Sequence, residues 1–174
     1  FQFTLYAENR IPNEQIYFFR EVNVGRNRSN ATHMCGSNMI IARSALEDVN
    51  YFATGTITED HETGVKIQTA GYTTYALPVC LANGLNPPAL VNLIIQRELW
   101  GRGCMQTFHR LNMLSNPKIP FARRLNYLCT LLYWMTFLSR FLFIMSPILV
   151  ALFGVYVVEC SLGQLMIFWL PYYT

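Results

Sequence analysis

Aspartate is scarce in this chain. Among 174 residues only Asp48 and Asp60 occur, so a reaction that uses an Asp as proton acceptor has two candidates. Cysteine occurs five times, at Cys35, Cys80, Cys104, Cys129 and Cys160, but no pair has the CxxC spacing of a zinc or redox site. A scattered, odd set reads as reduced thiols in a cytosolic setting. His33, His61 and His109 lack ligand-like spacing, so exposed or structural roles are expected for them rather than a metal site. No Gly-rich phosphate loop, nucleophile elbow or internal repeat occurs. The net charge is only +3, and no basic helix or aromatic-studded basic strand accompanies it, which argues against nucleic acid as a partner. Charge itself nearly vanishes after Arg124: from Leu125 to Thr174 only Arg140 and Glu159 carry it.

That split defines the organisation. Residues 1–124 are mixed and charged, as in a soluble α/β or α+β segment, and the remainder is apolar enough for a bilayer. The chain begins with Phe and stops on Thr174 inside an apolar run, so a piece of a longer polypeptide is expected. Tyr127 to Ser139 and Phe141 to Val158 are free of charge, and roughly 20 helical residues cross a bilayer. Pro147 is expected to kink or break that helix, leaving one kinked span or two spans meeting there. Arg140 must snorkel, pair or face a polar pathway. Arg97, Arg102, Arg110, Lys118, Arg123 and Arg124 precede the span against one acid, Glu98, and place that flank on the cytoplasmic side.

Within residues 1–124, Ile16-Tyr17-Phe18-Phe19 is an aromatic run and Gly25 to Asn30 reads as a polar, basic loop. Two N-x-[ST] matches, at Asn27 and Asn30, matter only if that face meets a glycosylating compartment, which is not expected. Cys35-Gly36-Ser37 suits a tight backbone approach, and Met39-Ile40-Ile41-Ala42 suits a buried strand. Ser44 opens a short helical turn. Thr54-Gly55-Thr56-Ile57-Thr58-Glu59-Asp60 delivers two carboxylates to the start of a helix running from Asp60 to Ala70, with Gly71 placed for a left-handed terminal residue. Negative charge at a helix N-terminus is favoured by the free amides, so capping alone would account for the pair.

Tyr72 to Leu77 reads as a strand ended by Pro78, and Asn83-Gly84 marks a turn. Asn86 as N-cap, with Pro87 first in the helix, then starts a helix through Ile95 and Trp100 towards Arg110. On it Gln96, Trp100 and Gly103 are spaced i, i+4, i+7 and share one face, while Glu98 and Arg102 pair on another. Gly101 and Gly103 beside a Trp suggest a close approach of another backbone, a bend or a ligand. Trp100 would also suit a membrane-interface anchor.

The ordered set Cys35-Gly36-Ser37, Thr58-Glu59-Asp60 and Gln96-Arg97-Glu98-Leu99-Trp100, followed by basic residues and a membrane span, resembles one family. It is similar to the processive, membrane-embedded family-two glycosyltransferases, in particular bacterial cellulose synthase catalytic subunits. Leu81-Ala82-Asn83-Gly84-Leu85 and Gly101-Arg102-Gly103 add to the likeness, which covers about Thr32 to Gly154. The resemblance implies the C-terminal portion of an α/β GT-A-type domain over 1–86, interfacial amphipathic helices over 87–124 and a transmembrane region over 125–174. It implies transfer of glucose from UDP-glucose to a growing β-1,4-glucan at the cytoplasmic face of the plasma (inner) membrane, in a multi-pass protein. Chitin, hyaluronan, mannan or another β-glucan stand as alternative products, and a non-catalytic membrane scaffold as an alternative role.

Residue by residue, the resemblance matches Asp60 to the general base, with Glu59 beside it in the catalytic pair and Thr58 on the substrate side. Trp100 matches a residue that carries the acceptor sugar by stacking, and Gln96 its polar neighbour. Cys35 and Gly36 match the segment beside the acceptor terminus. Leu99 stands where the family has an Arg that contacts the departing diphosphate, and Arg97 or Arg102 are the candidates to replace it. The family's metal, Mg2+ or Mn2+, is expected to be held mainly by motifs upstream of Phe1. UDP-sugar, polysaccharide, lipid bilayer and accessory synthase subunits are the implied partners.

Overall fold

The computed structural model describes residues 14–79, 81–82, 87, 89–154 and 161–169. It divides into two units, Phe1–Tyr133 and Trp134–Thr174. No strand forms among the described residues of either.

The first unit opens with a continuous helical run. Helix α1 (Glu14–Tyr17) passes into a π-helical stretch, Phe18–Val22, then α2 (Asn23–Gly25) and a 3-10 turn, Arg26–Ser29. The basic loop expected at Gly25 to Asn30 is therefore helical, and Arg26 within it is buried. Long-range bonding explains the difference. Asn23, Asn27 and Asn30 stand at i, i+4, i+7, and each side-chain amide grips an extended backbone with both of its ends. Asn23 Nδ2 donates to His33 O (3.1 Å) and Asn23 Oδ1 accepts from His33 N (2.6 Å). Asn27 does the same to Ala76 (2.9 and 2.8 Å), and Asn30 bridges Tyr72 O and Thr74 N (2.8 Å each).

A primary amide has the donor and acceptor of a peptide group, so it can replace a neighbouring strand. Residues 72–77 accordingly show the alternating burial expected of a strand, but their partners on this side are two asparagines. That corrects the expected strand at Tyr72 to Leu77. It also occupies both N-x-[ST] asparagines. The strand expected at Met39 to Ala42 is absent as well: Ile40 is fully exposed, because a four-residue apolar run cannot form a strand without a neighbour to receive its backbone bonds.

Helix α3 (Arg43–Asp48) follows, then α4 (Glu59–Thr69), within one residue of its expected bounds at each end. Ala70 caps α4, and Gly71 takes a positive φ of 102° while its N–H donates to Gln68 O (3.3 Å). Helix α5 (Leu90–Arg110) begins with Ala89 as an extended N-cap that makes no side-chain bond. The expected start at Pro87 is three residues early, since Pro88 disfavours helical geometry in the residue before it. The expected Asn86 cap and the Asn83-Gly84 turn lie outside the described residues. Helix α6 (Phe121–Trp134) completes the unit.

Its core is small: Ala31, Val65, Met113, Ile119 and Tyr127, flanked by Phe108 and Leu111. A buried polar hub reinforces it. Gln68, 1% exposed, donates to Thr32 O and Thr74 Oγ1 (2.8 Å each), accepts from the Tyr127 hydroxyl, and its carbonyl accepts from Arg123 Nη1 (2.6 Å). Arg124 donates to the carbonyls of Ile119, Leu114 and Asn116 (2.7, 2.9 and 2.8 Å). Two arginines expected to be flanking charges are thus braces on backbone carbonyls.

In the second unit, α7 (Thr136–Phe153) has 18 residues, about 27 Å at 1.5 Å per residue, and none is buried. It is the one described helix long and apolar enough to cross a membrane. Pro147 lies inside it without ending it, so spans meeting at Pro147 are not what forms; Gly154 terminates the helix instead. Arg140 sits about 6 Å from its N-terminal end, within snorkelling reach of a polar surface. A last apolar helix, α8, spans Leu162–Trp169.

The Gln68 hub yields a stability prediction for the first unit. Gln68→Ala leaves buried partners without bonds and should lower unfolding stability by about 3 kcal/mol, whereas Tyr127→Phe should cost about 1 kcal/mol. Chemical denaturation of the full chain in detergent measures both; an unchanged midpoint in Gln68→Ala would show the hub to be dispensable.

Candidate active site

Of the two aspartates, Asp48 accepts a bond from the Tyr72 hydroxyl at the surface (2.5 Å), a structural role. Asp60 stands in the first turn of α4, half-buried, where unpaired amides and the helix dipole favour negative charge. Its Oδ1 accepts from His61 N (2.7 Å). On its other side, Gly36 is so close that a Cβ there would lie 2.9 Å from Asp60 Oδ2, and Gly36 adopts φ 71°, which favours glycine. Gly36 of the Cys-Gly segment and the carboxylate therefore meet. Burial raises the Asp60 pKa above the ordinary carboxylate value, and the neighbouring Glu59 charge adds to the rise, against the His61 amide bond that lowers it. A raised pKa makes a carboxylate a better proton acceptor. Burial first, then the Asp60 charge, pushes the Cys35 thiol up to about 12, so Cys35 stays a neutral thiol.

Thr58 is the N-cap of α4 but makes no capping bond with its side chain, so the first turn is not held by a conventional cap. Glu59 is exposed, with its carbonyl accepting from Thr63 Oγ1. Above Thr58 lies α5. Gly103 packs on Thr58 so closely that a Cβ at 103 would fall against Thr58 Cγ2 and Oγ1, and 2.8 Å from its Cβ. The contact extends along α5. Gln106 Oε1 accepts from Ile57 N (3.1 Å), and Arg110 donates to Gly55 O and Thr54 O (3.3 and 3.2 Å). Arg110 Nε also lies 3.1 Å from Glu62 Oε2, whose other oxygen meets Lys66 Nζ at 2.9 Å.

The stripe Gln96, Trp100, Gly103, Thr107, Arg110 continues one helix face. Its C-terminal half is clamped onto residues 54–62, and Trp100 lies about 4.5 Å along the axis from Gly103. Extending the i, i+4, i+7 spacing of Gln96, Trp100 and Gly103 by two more steps would have found Thr107 and Arg110 in the sequence.

Four buried oxygens make no bond within the chain along this contact: Thr56 Oγ1, Thr58 Oγ1, Gln96 Oε1 and Thr107 Oγ1. Trp100 is half-buried, and the Arg97 guanidinium stands 5.5 Å from its ring centroid, a cation–π distance. Arg97 also donates to the Tyr133 hydroxyl (3.1 Å), a partner that nothing in the local sequence signals. Arg102 is not brought to this stripe; it pairs with Glu98 at 2.5 Å on an exposed face. Of the two arginines considered in place of Leu99, Arg97 is the one beside Trp100. No group of three or more His, Cys, Asp or Glu able to hold a metal occurs among the described residues, so the site does not fit a metal and no step is derived through one.

Behind Asp60 lies a histidine pair that sequence spacing did not show. His33 and His61 stack at 4.1 Å and 17°, with Phe18 edge-on to His33 at 5.9 Å. Burial lowers both pKa values, that of His61 to about 4, with the nearby Arg26 charge adding to the effect. The unfolded chain, with ordinary histidines, binds protons below pH 6.5 that the folded chain refuses until about pH 4. Stability is thus complete above pH 6.5 and falls as pH drops towards 4, by roughly 3 kcal/mol for His61. Asp60, with its raised pKa, works in the opposite sense. His61→Phe keeps a stacking ring and should flatten the acid side of a melting-temperature profile; coincident profiles for the two proteins would mean that the histidines charge in place.

A family model for "Glycosyl transferase family group 2" matches residues 3–174. Cellulose synthase 1 of Komagataeibacter xylinus is 35% identical over 172 residues, 99% of this chain and 11% of that protein. The cellulose synthase catalytic subunit [UDP-forming] of Pseudomonas fluorescens is 32% identical over 162 residues, 93% of this chain and 22% of that subunit. Its counterpart in Xanthomonas axonopodis pv. citri is 37% identical over 134 residues, 77% of this chain and 18% of that subunit. The chain therefore spans between about a ninth and a fifth of the length of these relatives. With its carboxylate-bearing helix and its Trp-bearing helix covered by one continuous match, this chain belongs to the group 2 glycosyl transferase family.

Proposed function

We propose that this chain is the acceptor-side portion of a polysaccharide synthase, the C-terminal part of a GT-A-type catalytic domain with its interfacial helices and a following membrane span. The reaction is inverting transfer of glucose from UDP-glucose to a growing β-1,4-glucan, with the polymer carried on through the membrane. The observation that supports this reading is the Gly103–Thr58 contact, because Gly103 shares its helix face with Trp100 and Gln96 and Thr58 lies two residues before Asp60. The relatives' printed names support UDP as the leaving product and cellulose as the polymer.

The chemistry follows from the residues. Asp60 takes the proton from an acceptor hydroxyl as its oxygen attacks the anomeric carbon; the bond to the UDP oxygen breaks, and UDP leaves with the electron pair. The developing positive charge on the sugar resembles that of glycoside hydrolysis. An indole face packs against the axial C–H groups of a sugar ring and lets rings slide, while a polar neighbour such as Gln96 serves the equatorial hydroxyls. The donor, and the Mg2+ or Mn2+ that the family uses with it, belong to parts of the longer protein outside this chain.

In the full-length protein, Asp60→Asn should cut polymer synthesis by about 10²–10⁴-fold or more while UDP-sugar binding persists, and Glu59→Gln should cost less. Trp100→Ala should lose activity with membrane insertion and UDP binding intact, whereas a mere interfacial anchor would tolerate the change. Full activity in both Asp60→Asn and Trp100→Ala would place the chemistry on other residues. Absence of polymer synthesis by the unmutated full-length protein would instead favour the alternative of a non-catalytic scaffold, for which Leu99 in place of the family Arg is the supporting observation.

The topological part of the proposal places residues 1–134 on the cytoplasmic side and sends α7 across the membrane. A cysteine introduced at the exposed Phe121 should react with an impermeant thiol reagent only from the cytoplasmic side, and one at Leu162 only from the opposite side. Reaction of both from one side would rule out a single crossing.

A further inference from the structure

We propose that Gly103 is a positioning residue of this site, whose missing side chain sets the distance between the indole of Trp100 and the carboxylate of Asp60. The proposal rests on the roles given above to Asp60 and Trp100, and it adds a residue that acts only through them. Gly103 lies on the Trp100 stripe and Thr58 lies two residues before Asp60, so their contact is the joint between the two functional elements.

The joint has no slack on the Thr58 side. Thr58 is 8% exposed, and its carbonyl accepts from Glu62 N (3.2 Å) at the start of α4. The residue before it is held by the Ile57–Gln106 bond, and Thr54 and Gly55 by Arg110. A methyl group at 103 would meet Cγ2, Oγ1 and Cβ of a residue fixed on both sides. The helix must therefore move instead. Its C-terminal half is tied to the same loop at Gln106 and Arg110, so the displacement falls on the N-terminal half. There Leu90, Val91, Ile94 and Ile95 are exposed, and the tie described above is the exposed, flexible Arg97–Tyr133 bond. That half carries Trp100 and Gln96. Adding one carbon at 103 thus swings the sugar platform away from the base.

The other close glycines are not equivalent. Gly36 abuts the Asp60 carboxylate itself, and Gly64 abuts the Met34 side chain. A Cβ at Gly55 would meet the Trp-bearing helix only at the end of the Arg110 side chain (3.4 Å). Among the described glycines, Gly103 is the one that sets the backbone of that helix against a side chain of the motif segment.

The test measures kcat and donor KM for polymer synthesis in the full-length protein with UDP-glucose, and UDP binding separately. Gly103→Ala should lower kcat by about 10²-fold, the usual penalty for a misplacement near 1 Å. Donor KM and UDP affinity should change less than kcat, because Arg97 is the one candidate diphosphate contact on this half of the helix and the proposed donor site otherwise lies outside this chain. Shortening the obstructing side chain supplies the second variant. Because a Cβ at 103 would also lie 2.8 Å from Thr58 Cβ, which alanine keeps, the second variant removes that carbon too. Gly103→Ala/Thr58→Gly should recover kcat to the level of Thr58→Gly alone, which a general loss of folding would not allow.

An unchanged kcat in Gly103→Ala, or a loss that Thr58→Gly does not relieve, overturns the proposal. If Gly103→Ala fails to accumulate, the double variant is compared with Thr58→Gly: equal kcat supports the proposal, and failure of the double variant to accumulate overturns it. Loss of activity in Asp60→Asn and Trp100→Ala beside an indifferent Gly103→Ala would sink this inference alone. Full activity in those two variants would sink the functional reading beneath it.

Discussion

Close packing of α5 on the N-terminus of α4 is the constraint on which the rest of this structure depends. Two motifs that lie some forty residues apart in the chain serve one site only if their backbones approach, and Gly103 over Thr58 is where they do. The contact is reinforced downstream by Gln106 and Arg110, so it is a clamp along half of a helix rather than a single touch. On the proposed reading, a steric condition at one position is thereby converted into the placement of an indole and a carboxylate.

The surrounding fold supplies rigidity with little apolar material. Five buried apolar residues form the central cluster, and side-chain amides complete the work. Asn23, Asn27 and Asn30 hold extended backbone that would otherwise require a sheet, and Gln68 ties α4 to α6. Behind Asp60, the His33–His61 stack fills the interior with rings that burial keeps neutral, so the carboxylate faces no adjacent imidazolium that would lower its proton affinity. The same arrangement that raises the Asp60 pKa also makes the fold sensitive to acid.

What the sequence revealed was local. Helix α4 was legible because its acids precede an apolar run and Gly71 follows it, and α5 because its periodicity is long. The shared face of Gln96, Trp100 and Gly103 was legible by counting, since helical spacing fixes which residues stack. The strand at 72–77 was misread for a physical reason: its extended pattern is real, but strand formation depends on what supplies the opposite bonds, and asparagine amides do so here. Pro147 was overweighted, because α7 continues through it. The histidine stack and the Arg97–Tyr133 bond depend on tertiary approach over 28 and 36 residues, and no local pattern encodes them.

The central claim is that the Asp60 segment and the Trp100 face form one acceptor site. A structure of the full-length protein with its polymer retained, at a resolution that resolves sugar rings, tests it most directly. The account predicts a terminal sugar seated on the Trp100 indole, with an acceptor hydroxyl about 2.6–3.2 Å from an Asp60 oxygen. A terminal sugar bound away from either residue, or one stacked on Trp100 with its hydroxyl directed to a different base, would contradict it.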